Sequence, residues 1–333
     1  MKRNIIKDAI PYYLACLGLH FIALLCLVNA AIHYPKLWGL GLVAYSLGLR
    51  HAFDADHIAA IDNTVRKLVH AKHRSTGVGF FFSLGHSTVV FLMAVIIGFS
   101  VKWAKIQMPF FQAVGGKIGA CVSGTFLLVV AAFNFIILLS LLKSVKAMKA
   151  GQVQQDVLED LLLSRGFIAS LVKPLFKVIS KEWQMYPTGF LFGLGFDTAT
   201  EIALIALSAG AAKASLPLSG ILSLPLLFAA GMCLMDTTDS VMMSGAYNWA
   251  FEAPLRKIYY NVTVTTISIV AAFFIGALEL IQVALESNPT SGFWAWIQAL
   301  DLGNLGLWLF FLFAVLWIVT SLIYNHNKKK FSV

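Results

Sequence analysis

The residues best able to do chemistry are crowded into "RHAFDADHIAAIDN", positions 50–63. Within eight positions stand Arg50, His51, Asp54, Asp56 and His57, all inside a long apolar segment. An ionisable side chain at bilayer depth costs about 2.5–3.5 kcal/mol on insertion scales, so five together demand a purpose. Around an ideal helix, His51, Asp54 and His57 step by about 60° each and share one face, while Asp56 points away. Two imidazoles and a carboxylate on one face suit an ion such as Ni, Cu, Zn or Fe(II), whereas Ca or Mg sites are built from oxygen. An unbroken helix holds the outer pair rather far apart for one ion. Local unwinding at the motif, common at transport sites, would relieve that.

Other apolar runs carry polar intrusions of their own. His86 in "LGHSTVV" can add a third imidazole. Asp197, Thr200 and Glu201 stand in "LGFDTATEI", and Asp236 and Asp239 in "GMCLMDTTDS". Together with His20, Arg50 and Asn63 they are read as pathway or supporting groups, because intramembrane ionisable residues face the bundle interior. The plainer reading is mutual neutralisation: Arg50 against an acid, the histidines against carbonyls. It is the better account of one lone histidine, but five ionisable groups with matching acids on other helices favour a site.

The elements that must position these groups follow from composition. The chain is 59% hydrophobic and only 12% charged, with a mean hydropathy of +0.80 over 333 residues; soluble chains run at about 25% charged. Apolar windows long enough to span a bilayer recur at about 10–31, 38–60, 77–101, 118–142, 187–210, 219–243, 260–284 and 301–324. These runs are continuous, not alternating, so the expected fold is an all-α polytopic membrane helical bundle of eight transmembrane helices. Nineteen of the 25 Lys and Arg residues fall on the side of the N-terminus and five on the other, with Arg50 inside the second span. That asymmetry predicts both termini cytoplasmic. It also accounts for the net charge of +9 without nucleic acid, the basic groups meeting membrane lipid headgroups. The first apolar run is too long for a cleaved leader and is expected to stay as a span. Cys16, Cys26, Cys121 and Cys233 lie singly within spans, as packing residues.

The chain divides into helices one to four (1–142, with the motif in the second and third), a cytoplasmic loop (143–186), helices five to eight (187–324) and a tail (325–333). Part of the loop, "RGFIASLVKPLFKVISKEW", is expected to be amphipathic, either lying on the inner leaflet or forming a solvated linker helix. "LGLRHAFDADHI" and "LFGLGFDTATEI" share a Leu-Gly followed by Phe-Asp, three helices apart. An odd offset reverses the crossing direction, which suggests an inverted repeat.

These motifs carry a resemblance. "HAFDADH", "LGHSTVV", "LGFDTATEI" and "GMCLMDTTDS" resemble, in order and placement along the whole chain, the signatures of the nickel/cobalt transporter (NiCoT) family of secondary permeases. One departure is Ser240, where that family usually has Gly; small for small, it changes little. The resemblance implies high-affinity uptake of Ni²⁺, and in some members Co²⁺, across the cytoplasmic membrane. His51, Asp56 and His57 would be the selectivity and ligand residues, with Asp54 in the same motif and His86 in the next. The ion is substrate, not cofactor, and no ATPase subunit or nucleotide motif is evident, so the membrane potential or an ion gradient would drive it. An exporter is the alternative, but exporters often carry a His-rich loop and residues 143–186 contain no His. An intramembrane metalloenzyme would need more histidines than the eight present, so no enzyme is expected.

Overall fold

In the computed structural model, which describes residues 5–99, 101–149, 179–195, 199–214, 216–251, 258–285, 291–300 and 304–331, the regular elements are all helices. They are α1 (Ile5–Ala31), α2 (Lys36–His51), α3 (Ala55–His70), α4 (Val78–Phe99) and α5 (Val101–Lys149). After a short 3₁₀ turn (Glu182–Gln184) come α6 (Met185–Phe192), α7 (Ala199–Lys213), α8 (Leu218–Phe251), α9 (Ile258–Leu285), α10 (Phe293–Gln298) and α11 (Leu305–Phe331). Six helices, α1, α4, α5, α8, α9 and α11, are long and apolar enough to cross a membrane. The expected amphipathic part of the 143–186 loop lies largely outside the described residues, and α5 continues through its first positions as far as Lys149.

Neither 38–60 nor 187–210 is a single helix. The first stops at His51 and restarts at Ala55. Tight turns bridge the gap, with Phe53 N–H donating to Arg50 O at 3.0 Å and Asp54 N–H to His51 O at 2.8 Å. Asp54 is extended, with φ −67° and ψ 148°, the backbone of a helix N-cap. Asp56 Oδ1 accepts the His57 N–H at 2.9 Å in the first turn, where a carboxylate also meets the positive end of the helix dipole. Asp-Ala-Asp is thus a helix start set inside an apolar run, and the run breaks there. The second break follows Phe192, with Gly195 N–H donating to Phe192 O at 3.0 Å, and α7 begins at Ala199.

Helix α3 is the axis of the bundle. Residues 57–69 are all buried, and α4, α5, α8, α9 and α11 pack around it. Arg66 and Lys67, which the apolar windows leave between the second and third expected spans, lie inside the bundle. Arg66 is fully buried and donates to Tyr247, Thr265 and Ser268, while the Lys67 ammonium lies 4.7 Å from the Phe133 ring centre. Their charges are satisfied by protein, which averaged hydropathy does not register. On the periphery, α1 and α11 turn large apolar side chains outward, among them Leu17, Phe21, Trp308 and Val315, as a lipid-facing surface requires.

Glycines set the closest helix approaches. A Cβ on Gly85 of α4 would stand 2.0 Å from the Tyr186 carbonyl oxygen of α6, and one on Gly189 of α6 would stand 1.9 Å from the Phe82 oxygen of α4. Gly48 of α2 meets Phe228 O of α8 at 2.0 Å in the same sense, and Gly231 of α8 meets Tyr45 O of α2 at 2.8 Å. Both seams are reciprocal, backbone against backbone, the small-residue packing that lets membrane helices touch.

Helix α3 ends in a Schellman turn. His73 N–H donates to Leu68 O at 2.8 Å and Lys72 N–H to Val69 O at 3.0 Å, with Lys72 left-handed at φ 58°. That conformation disfavours a side chain, so Lys72→Gly is expected to raise stability by about 1 kcal/mol, read as a higher thermal midpoint in detergent.

Candidate metal centre

The break between α2 and α3 delivers two imidazoles to one point. His51 is the last residue of α2, at the negative end of its dipole, and His57 lies in the first turn of α3. His86 reaches the same point from the middle of α4. One ring nitrogen from each of the three lies within 4.8 Å of the others, and all three rings are at most 3% exposed. His51 Nε2 and His86 Nε2 are 3.0 Å apart. Two donors about 2 Å from a common ion sit about 3–4 Å apart, so the spacing is that of ligands around one metal.

The outward-facing nitrogens explain why the inner ones are available. His51 Nδ1 stands 2.7 Å from Asp54 Oδ2 and 3.0 Å from Thr200 Oγ1. His57 Nδ1 stands 3.2 Å from Asp236 Oδ2. A carboxylate behind Nδ1 keeps the proton there and leaves the Nε2 lone pair pointing inward, the arrangement of metal-bound histidines. His57 Nε2 has no hydrogen-bond partner among the described residues, though it is completely buried. Glu201 Oε1 completes the ring of donors, 2.8 Å from His86 Nε2 and 4.0 Å from His51 Nε2. Phe82 and Phe228 wall the site, with ring centres 4.8 Å from His57 and 5.4 Å from His51 respectively.

The other expected residues divide between this centre and its surroundings. Asp54, Thr200, Glu201 and Asp236 touch the trio. Asp56 meets the trio through the His57 backbone N–H and faces a cavity of about 320 Å³ lined also by Lys117, Ser123, Phe192, Gly195 and Glu279. His20 is held by Cys16 O at 2.8 Å and the Tyr45 hydroxyl at 3.2 Å, away from the trio. Arg50 donates to Asp54 at 3.3 Å and to Asn304 at 3.1 Å on a partly exposed edge. Asn63 donates to Ala59 O and accepts from Asn134, tying α3 to α5. Ser240 donates to Thr76 O at 2.8 Å, a bond that glycine could not make. Asp239 is buried near the centre, and Asp197 lies outside the described residues. Sequence reasoning passed over Asp62, whose carboxylate accepts from Tyr247 and faces Arg66 at 3.6 Å. Its signal was present in "AAIDNTVRK", an acid and a base four apart.

Residues 37–323 match the NicO family, described as high-affinity nickel-transport protein. The chain belongs to the NicO family. Among NicO relatives, it is 51% identical to the nickel transporter NixA of Staphylococcus aureus over 320 residues, covering 96% of this chain and 95% of the relative. It is 48% identical to the high-affinity nickel-transport protein NixA of Helicobacter pylori over 331 residues, 97% of each. The cobalt transport protein NhlF of Rhodococcus rhodochrous is 41% identical over 243 residues, 72% of this chain and 69% of that one. No solved structure gives a significant match. NicO proteins are transporters rather than enzymes, and with six apolar helices this one is a multi-pass membrane protein.

Proposed function

We propose that the chain takes up Ni²⁺, and also Co²⁺, across the cytoplasmic membrane, holding the ion on His51, His57 and His86. The observation that carries this reading is the convergence of three buried imidazoles with carboxylates behind two of them. Glu201 is a fourth donor, Asp54 and Asp236 orient the rings, and Asp56 receives ions in the adjoining cavity. An imidazole-rich set favours nickel and cobalt over magnesium or calcium. The names of the NixA relatives support nickel, and that of NhlF supports cobalt.

Eight crossings follow if the broken pairs α2–α3 and α6–α7 each make one, beside the six continuous helices. The basic residues then put both termini in the cytoplasm, with 143–186 as the loop joining two four-helix halves and 325–333 as the tail. The matching breaks support an inverted repeat, and so do the seams. The first half of one broken helix interlocks with α8, and the first half of the other with α4, as a two-fold axis in the membrane plane requires. The Asp56 cavity lies toward the beginning of α5 and the end of α9, the outer end in this orientation.

The membrane potential is a sufficient drive. At 100 mV, inside negative, a divalent ion gains about 4.6 kcal/mol, twice the charge-one value. Export would run against that, and residues 143–186 lack the histidines of an exporter's loop. The test is ⁶³Ni accumulation in cells expressing the chain, with Co²⁺, Zn²⁺ or Mn²⁺ as competitor and with or without an uncoupler. Expected are accumulation, competition by Co²⁺ but not Mn²⁺, and collapse with uncoupler. Uptake also falls as external pH drops through the imidazole range, since only neutral histidine binds metal. Greater nickel tolerance instead of accumulation would overturn the reading.

A further inference from the structure

The end of the bundle where α1 begins is fastened by one buried carboxylate. Glu182, in the 3₁₀ turn leading into α6, is 8% exposed. Its Oε1 accepts the Tyr12 hydroxyl of α1, and its Oε2 accepts the Gly77 backbone N–H at 3.1 Å, just before α4 starts. A carboxylate placed there also meets the positive end of the α4 dipole. The Tyr12 ring lies over Gly77, where a Cβ would stand 2.4 Å from it. It also packs on Phe80 and Phe81, with ring centres 5.5 and 5.9 Å away. Beside it, Arg74 donates to Asp8 of α1 at 2.8 Å.

Two groups of helices meet at this carboxylate. Helix α1 packs along α8 and buries Ala9, Cys16, Ala23 and Ala30. Glu182 belongs to the other group, since α6 is seamed to α4, the helix of His86. Contacts lead from the fastening to the histidines. Cys16, one turn inside Tyr12, has its Sγ 3.6 Å from Thr237 Oγ1, and the neighbouring Asp236 holds His57 at 3.2 Å. Gly77 precedes His86 on the α4 side by nine residues, about 13 Å of helix rise. The Asp56 cavity lies the other way, lined by α5 residues that follow once α4 has crossed the bundle. The trio thus stands between a space at one end and a closed contact at the other.

We propose that Tyr12 and Glu182 are the inner gate of the uptake path, shut against Gly77 in this state and parted when the ion leaves the trio for the cytoplasm. It rests on the uptake reading and its orientation. Alternating access exposes one central site to each side in turn, so space at one end is matched by closure at the other. Two hydrogen bonds to one carboxylate suit that closure, because water replaces both as they open.

The first test needs no metal. Cys16 is 1% exposed behind Tyr12, so its labelling by N-ethylmaleimide, read by peptide mass in purified chain, reports opening at this end. Glu182→Ala should raise the Cys16 rate at least about tenfold and leave Cys26, nearer the other end of α1, unchanged. No rise at Cys16, or an equal rise at Cys26, would overturn the gate. The second test holds it shut. In a chain whose native cysteines are alanine, Tyr12→Cys and Glu182→Cys are bridged by a bis-methanethiosulfonate. Uptake of ⁶³Ni should fall at least about tenfold and recover on reduction, while calorimetry still finds Ni²⁺ bound to the bridged protein. Unimpeded uptake with the bridge in place, or loss of binding together with uptake, would sink the proposal. If the unaltered chain accumulates no Ni²⁺, the uptake reading fails, and the Cys16 rate still decides whether Glu182 holds this end shut.

Discussion

His57→Ala should lower ⁶³Ni accumulation at least about 100-fold at equal amounts of protein in the membrane. Removing a group that merely orients a metal ligand costs about 10–100-fold in affinity. Removing a ligand should cost no less than the top of that range. The geometry adds a second loss at this position. His57 Nδ1 is the described partner of Asp236 Oδ2, so truncation strands a carboxylate that is 0% exposed. Asp236→Asn should fall within the orienting range, because the amide still meets the ring but no longer fixes its proton. His33→Ala, in the exposed turn between α1 and α2, should accumulate metal like the unaltered chain. Uptake by His57→Ala equal to wild type would remove this residue from the centre.

The second large effect concerns stability. Gly189→Ala drives a methyl to within 1.9 Å of the Phe82 oxygen, and Gly85→Ala meets the Tyr186 oxygen at 2.0 Å. Overpacking ordinarily costs about 1–3 kcal/mol, relieved by side chains that shift. Here the obstacle is helix backbone, so two whole helices must separate, and each substitution is expected to reach or pass the top of that range. Gly18→Ala and Gly210→Ala provide the opposite sign. Nothing stands within 4 Å of either added methyl, and trading glycine for alanine in a helix gains about 0.5–1 kcal/mol. Thermal unfolding in detergent should therefore sort the four variants into two falling and two rising midpoints.

Much of the centre is legible in the residues themselves. "HAFDADH" marks His51 and His57, and an ideal-helix projection turns Asp56 away from them, although the helix it assumes is broken between His51 and Ala55. The break could be stated only as a way out of a geometric difficulty, because Asp-Ala-Asp acts as a helix start only once Asp54 is extended and turned toward His51. Glu201 reads as a supporting group because its place against His86 joins residues 115 apart in the chain. Arg66 and Lys67 fall outside the apolar windows for a different reason. Hydropathy windows equate charge with water, yet these two find their partners in Tyr247, Ser268 and Phe133 on neighbouring helices. The same blindness hides the start of α5, whose polar residues belong to a helix that begins at Val101.

The reciprocal glycine seams have a mechanical consequence. They rivet α2 to α8 and α4 to α6, and Gly79 of α4, where a Cβ would stand 1.8 Å from the Asp236 carbonyl oxygen of α8, fastens the two pairs to each other. His51 rides on the first pair with Asp236 behind the trio, and His86 rides on the second. The 3.0 Å between their ring nitrogens is therefore set by contacts of helix backbone against helix backbone. Two nitrogens can share one ion only up to about 4 Å apart. On the proposed uptake reading, a displacement of little more than about 1 Å at this point is enough to release the ion.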